Sequence, residues 1–247
     1  LNDGASPEGV FLWLAGYNIS TYTNQDGEFQ VLLPPQPKQV SATGTVEHDT
    51  LYFYLANYLL ETARVMIVDG EFFYAREDID KDGKVRGPIV MQRFLQISTY
   101  VTPPIVPIDF SDTIFVKTQL QADISCAEVG IPKVDEINRK SNERPLGAIL
   151  VKKLDSEQVF IVRSDSLAEG NYVETVCRNT VILELKFVFA YVQLPPGVYE
   201  VIPYLWITPK GAPQGLLEKL GSHVNELGRN YLQKPMRRKD GSFEVMN

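Results

Sequence analysis

Between Glu77 and Val85 the chain reads EDIDKDGKV, with an acidic side chain at every second position from Asp78 to Asp82. Asp78, Asp80, Asp82 and Gly83 occupy positions 1, 3, 5 and 6 of a calcium loop, where alternating carboxylates converge on a hard cation and glycine permits the sharp turn. Lys84 would offer its main-chain carbonyl at position 7. Position 12 is Ile89, where a helix-loop-helix calcium site needs a bidentate glutamate, and the flanks EFFYA and VRGPIV lack the period of paired helices. Two readings stand: a calcium ion held in a β-hairpin loop, or a plain acidic turn.

Other constellations point away from catalysis. The two histidines, His48 in VEHDT and His223 in GSHVN, sit in turn-like or helix-like surroundings with no motif placing a serine or cysteine nucleophile beside them. The two cysteines, Cys126 and Cys177, cannot build a zinc site without adjoining histidines. They suit a disulfide in an exported protein, or two reduced buried thiols in a cytoplasm. No phosphate-cradling glycine loop is present, so nucleotide cofactors are not expected. Asn18-Ile19-Ser20 is a formal glycosylation sequon. The aromatic stretches LYFYLANY (51–58) and YLWITP (204–209) suit core packing, with a sugar-stacking platform around Trp206 or Trp13 as the functional alternative.

The elements that would position these residues are mostly strands. GVFLWLAG (9–16) is apolar on both faces, as expected of a strand covered on both sides. ISTYT, then NQDG, then EFQVLL reads as a hairpin cornered at Asp26-Gly27 and stopped by Pro34 and Pro35. LYFYLANYLL satisfies a helical stripe as well as a strand, and its aromatic and β-branched continuation through RVMIV favours strand. VILELKFVFAYV places Leu183, Leu185, Phe187, Phe189 and Tyr191 on one face, with Glu184 and Lys186 on the other. The segment 133–145 reads as a polar loop. Leu216, Leu217, Leu220, Val224, Leu227 and Tyr231 recur at helical spacing, which predicts one amphipathic helix over 214–232.

Composition bounds the partners. The 247 residues, 44% of them hydrophobic, suffice for one large or two smaller β domains. A formal charge of −7 disfavours nucleic acid, and the one basic run, Lys234 to Lys239, reads as a solvated tail. Glu61 and Arg64 interrupt the most apolar stretch, 51–68, so no membrane span is expected. No signal peptide is visible, and a start at Leu1 rather than Met is expected of a processed or trimmed product.

The opening NDGASPEGVFLWLAGYNISTYTNQDGEFQVLLPP resembles the carboxypeptidase regulatory-like family. Asp3-Gly4, Pro7, Gly9-Val10, Thr21, Thr23, Asp26-Gly27-Glu28-Phe29, Val31 and Leu33-Pro34-Pro35 match its pattern. The likeness covers about a seventh of the chain, and LPPGVYEV at 194–201 has the same look, as do Cna-B-like surface modules. The resemblance implies a transthyretin-like sandwich and an accessory role, chiefly on exported proteins, without a catalytic centre. Family members carry a further strand before the Asp-Gly pair; the sequence begins without it, which implies a strand cut, unseen, or donated by another chain.

The expected architecture is therefore all-β. A transthyretin-like sandwich over 1–101 precedes a second sandwich with a C-terminal helix over 110–247, joined by the proline-rich linker 102–109. The expected role is a non-enzymatic structural subunit of an extracellular or cell-surface fibre, sheath or appendage, associating with protein partners by β-strand addition. The alternatives are an accessory carbohydrate- or ligand-binding module and a virion structural protein. Calcium is the one cofactor the residues suggest.

Overall fold

The computed structural model describes residues 1–35, 46–134, 144–164 and 167–247. The chain is all-β, and most strand contacts are antiparallel. It divides into two compact units: Leu1–Arg93 with Pro209–Ser222, and Phe94–Thr208 with His223–Asn247. The proline-rich stretch 102–109, expected as the linker, runs inside the second unit, where its centre forms a short strand. Most of the expected polar loop at 133–145 lies outside the described residues.

The first unit holds one sheet of five described strands, β1 (Phe11–Leu14), β2 (Ile19–Tyr22), β3 (Val46–Tyr54), β4 (Glu61–Val68) and β5 (Glu71–Phe72), in the order β2-β1-β3-β4-β5. Alternation sets its core face: Ala63, Val65 and Ile67 of β4 are buried while Thr62 and Arg64 point outward. Leu12 and Leu14 of β1 join them with Leu51 and Phe53 of β3. Both faces of β1 are covered, as its sequence requires. On the opposite face Phe11 meets Tyr22 with ring centroids 5.2 Å apart, and Trp13 meets Tyr52 at 5.5 Å. The helix Gln214–Leu220 packs its Gly215 on Trp13; a Cβ there would lie 2.9 Å from the indole, so only glycine allows this approach.

The second unit begins with β6 (Leu95–Thr102), β7 (Ile105–Pro107), β8 (Thr113–Ala122), β9 (Ala127–Val134) and β10 (Ala148–Lys153). It continues with β11 (Val159–Arg163), β12 (Leu167–Val176), β13 (Val181–Val188), β14 (Gly197–Pro203) and β15 (Gly241–Met246). They form a five-stranded sheet β11-β10-β14-β15-β7, a three-stranded sheet β13-β8-β6 and the pair β12-β9. Val181, Leu183, Leu185 and Phe187 are buried along β13, matching the predicted face. That strand stops at Val188 and turns through a single helical turn, which leaves Tyr191 84% exposed instead of continuing the stripe.

The predicted helix over 214–232 is broken. Its first segment ends at Gly221, whose positive φ of 95° and N–H bond to the Leu217 carbonyl close it. Two 3-10 turns follow, Ser222–Asn225 and Arg229–Gln233. Leu216 and Leu220 thus serve the first unit, and Val224 and Tyr231 the second. Tyr231 is fully buried, its hydroxyl accepting from Leu205 N–H at 3.0 Å and lying within hydrogen-bond reach of the Pro203 and Leu205 carbonyls. Its ring meets Tyr204 at 4.9 Å.

Candidate functional site

The expected corner at Asp26-Gly27 is present, and Asn24 builds it. Asn24 Oδ1 accepts the Asp26 and Glu28 amides at 3.0 and 2.8 Å, and the Asn24 amide bonds the Glu28 carbonyl at 2.9 Å. Gly27 takes φ +79°, which disfavours a side chain, and Pro7 stands 3.0 Å from where its Cβ would be. The second arm departs from expectation. Residues 28–35 are extended but pair with no strand among the described residues. Phe29, Val31 and Leu33 alternate inward onto the core, with Phe29 edge-on to Phe53 at 5.6 Å, while Glu28, Gln30 and Leu32 face out. Strand alternation without a strand's ladder leaves the amides and carbonyls of 29–35 with no hydrogen bond to another described residue.

Beside this segment a cavity of about 820 Å³ opens over the core face of the sheet. Its floor is Val10, Leu14, Leu51, Phe53 and Val65; one wall is the 28–32 segment and the other is 82–91. The second wall has the same character: residues 87–90 make no backbone hydrogen bond among the described residues, and Val90 is 53% exposed. The first unit therefore presents a five-stranded sheet under two segments, 29–35 and 87–90, that have no ladder among the described residues, with a groove of apolar floor between them. The sequence signal for it was the alternation of EFQVLL. Which partner that strand would find was not encoded locally.

The acidic loop sits at the groove's rim and is organised as a turn. Asp78 Oδ2 accepts the Arg64 amide of β4 at 2.7 Å. Asp80 Oδ1 accepts the Asp82 and Lys84 amides at 2.8 and 2.9 Å, and the Lys84 carbonyl, the expected position-7 ligand, accepts the Asp80 amide at 2.8 Å. The Lys84 amide holds the exposed Asp80 carboxyl below the usual carboxylate range. Among the described residues no three Asp, Glu, His or Cys side chains gather where a cation would sit. Three backbone amides thus occupy one oxygen of Asp78 and one of Asp80, as a plain acidic turn requires. Calcium titration of the intact chain is expected to give no saturable heat, and Asp80→Ala to speed proteolysis between residues 75 and 88. A saturable calcium heat lost in Asp80→Ala would instead establish the metal loop.

Cys126 and Cys177 form a disulfide, with Cα atoms 4.1 Å apart. They directly flank the Ala127↔Val176 pair, closing one end of the β9–β12 ladder. His48 is exposed and lies 3.5 Å from Glu77; His223 is exposed on a 3-10 turn. The tryptophans are used in packing. Trp13 is 7% exposed and donates to Asn18 Oδ1 at 3.0 Å, which also engages the sequon asparagine. Trp206 donates to the Asn225 carbonyl and packs edge-on against Tyr204.

The basic run departs most from its reading as a solvated tail. Lys234 is 4% exposed and donates to Asn225 Oδ1 at 2.9 Å. Burial, reinforced by the Arg238 charge, pushes its amine down to about 8. Arg238 pairs with Asp240 at 2.8 Å, and burial pushes the Asp240 carboxyl up to about 6 against that pairing. A run of cations in sequence conceals that Pro235 and Met236, between them, are core residues.

No helix among the described residues is long and apolar enough to cross a membrane. The chain matches no known family model, no curated protein and no solved structure.

Proposed function

We propose that this protein is a non-enzymatic structural subunit of an extracellular or cell-surface assembly, joined to its neighbours by a β-strand laid into the groove of the first unit. The carrying observation is the half-built layer: an apolar groove flanked by extended backbone at 29–33 whose donors and acceptors have no described partner. An added strand satisfies those groups by main-chain bonds while its alternate side chains fill the groove, which is how strand addition combines affinity with specificity. The disulfide supports an oxidising compartment, because cytosolic thiols are kept reduced. The resemblance to regulatory-like modules points to the same setting. A virion component would use the same contact.

The test uses proline at positions whose amides have no partner among the described residues. Gln30→Pro and Val31→Pro remove donors from opposite edges of the extended segment. The melting temperature of the isolated chain is expected to stay within a few degrees, whereas at least one variant loses the filaments or particles seen for native material by electron microscopy. Native material that is monomeric, or assembly indifferent to both prolines, would remove the proposal.

A second reading, an accessory ligand-binding module, has one observation in its favour. The groove's volume of about 820 Å³, over an apolar floor, falls in the range of small-molecule pockets.

A further inference from the structure

The groove is apolar at its floor and acidic at its rim. Asp26 and Glu28 line one wall, Asp82 the other, and Lys84 is the one cationic side chain among the described lining residues. All four are exposed, and none of the three carboxylates has an ion pair among the described residues. The hydrogen bonds around them run through backbone amides or through Asn24 and Asp80, so these three side chains hold no other described residue in place.

In an extended chain successive side chains point to opposite faces. A strand entering this groove sends every second residue down to Val10, Leu14, Leu51, Phe53 and Val65 and lifts the intervening ones toward the rim. Buried positions must be apolar, because the floor offers no polar partner. Raised positions meet three uncompensated carboxylates against one ammonium. Like charge placed there is repelled, and opposite charge gains both attraction and a faster encounter.

We infer that the groove accepts a β-strand of alternating large apolar and basic residues, supplied by a partner other than a second copy of this chain. The net charge of −7 on each copy argues against self-donation, since two copies approach under mutual repulsion. The inference rests on the strand-addition reading and adds the partner's chemistry to it.

Two synthetic peptides test it on the intact chain, both alternating valine and isoleucine with a charged residue, lysine in one and glutamate in the other. A third peptide has the lysine peptide's composition with the alternation scrambled. The variant Asp26→Asn/Glu28→Gln/Asp82→Asn neutralises the rim without touching a described side-chain contact. The lysine peptide is expected to bind, protecting the amides of 29–33 from hydrogen exchange. Binding should weaken about tenfold in the triple variant, each exposed pair contributing a fraction of that, and should weaken likewise for the glutamate peptide. Equal binding of both charged peptides, unchanged in the variant, would overturn the inference and leave strand addition standing. Binding of the scrambled peptide as tightly as the lysine peptide would overturn it too, since alternation would then play no part. If no peptide protects 29–33, strand addition and the inference fall together.

Discussion

Replacing Cys126 and Cys177 with serine lowers the stability of the second unit by about 4 kcal/mol, the loop-closure value for a cross-link of this span. The residues are 51 apart in sequence, so the bond removes much of the freedom of the unfolded chain. The native geometry makes this effect large. β9 and β12 form a two-stranded sheet, and β12 carries a register irregularity between Leu167 and Asn171. Two strands alone are marginal in water. Val173 at 62% exposure shows how little apolar area the outer side of β12 buries. Chemical denaturation in the presence and absence of reductant is expected to shift the transition of the second unit and leave that of the first in place. Coincident, unshifted transitions would show the ladder to be held by other means.

The second large effect is the pH dependence carried by Lys234. Its amine titrates near 8 in the folded chain and near 10.5 when unfolded. Below pH 8 both states hold the proton, and the fold bears the full cost of a buried cation, roughly 3 kcal/mol for a shift of this size. Between pH 8 and about 10 the unfolded chain binds the proton that the folded chain sheds, so stability rises with pH. Above about 10 the tyrosines oppose this. Tyr204 is pushed up to about 12 by burial, so the unfolded chain ionises it first and stability falls again. Lys234→Met keeps the apolar stem and removes the charge. It is expected to stabilise the protein at pH 7 by up to roughly 3 kcal/mol, less the lost bond to Asn225, and to flatten the rise between pH 8 and 10. Thermal melts across that window decide it; a rise of equal slope in Lys234→Met would assign the effect elsewhere.

Strand content was legible because alternation is a local property. Ala63, Val65 and Ile67, or Val181 to Phe187, declare their buried face within a few residues. The both-faces-covered character of FLWL was readable for the same reason, although what covers Trp13 lies some 200 residues away at Gly215. Helical spacing over 214–232 misled because the period persists across Gly221 and Gly228. Gly221 ends the helix and Gly228 starts a separate turn while the apolar residues keep their rhythm, now serving two different cores. The Asp78, Asp80 and Asp82 spacing was visible, but whether carboxylates face a cation or backbone amides depends on the path of the loop. The groove lay beyond sequence reasoning because it is bounded by a segment without a ladder among the described residues, and pairing is decided by residues distant in the chain.

The helix Gln214–Leu220 belongs to the first unit, yet it is made about 120 residues after Arg93, where the rest of that unit stops. On a ribosome the residues up to Arg93 therefore emerge with Trp13 already against Tyr52 and Asn18 but with the side of its indole that Gly215 covers still open. Translation and folding run out of step, and the nascent chain exposes an aromatic face for seconds at ordinary elongation rates. Any fragment that stops short of Gly215 keeps that face open, so excising the opening module at its apparent boundary yields a sticky product rather than a free-standing one.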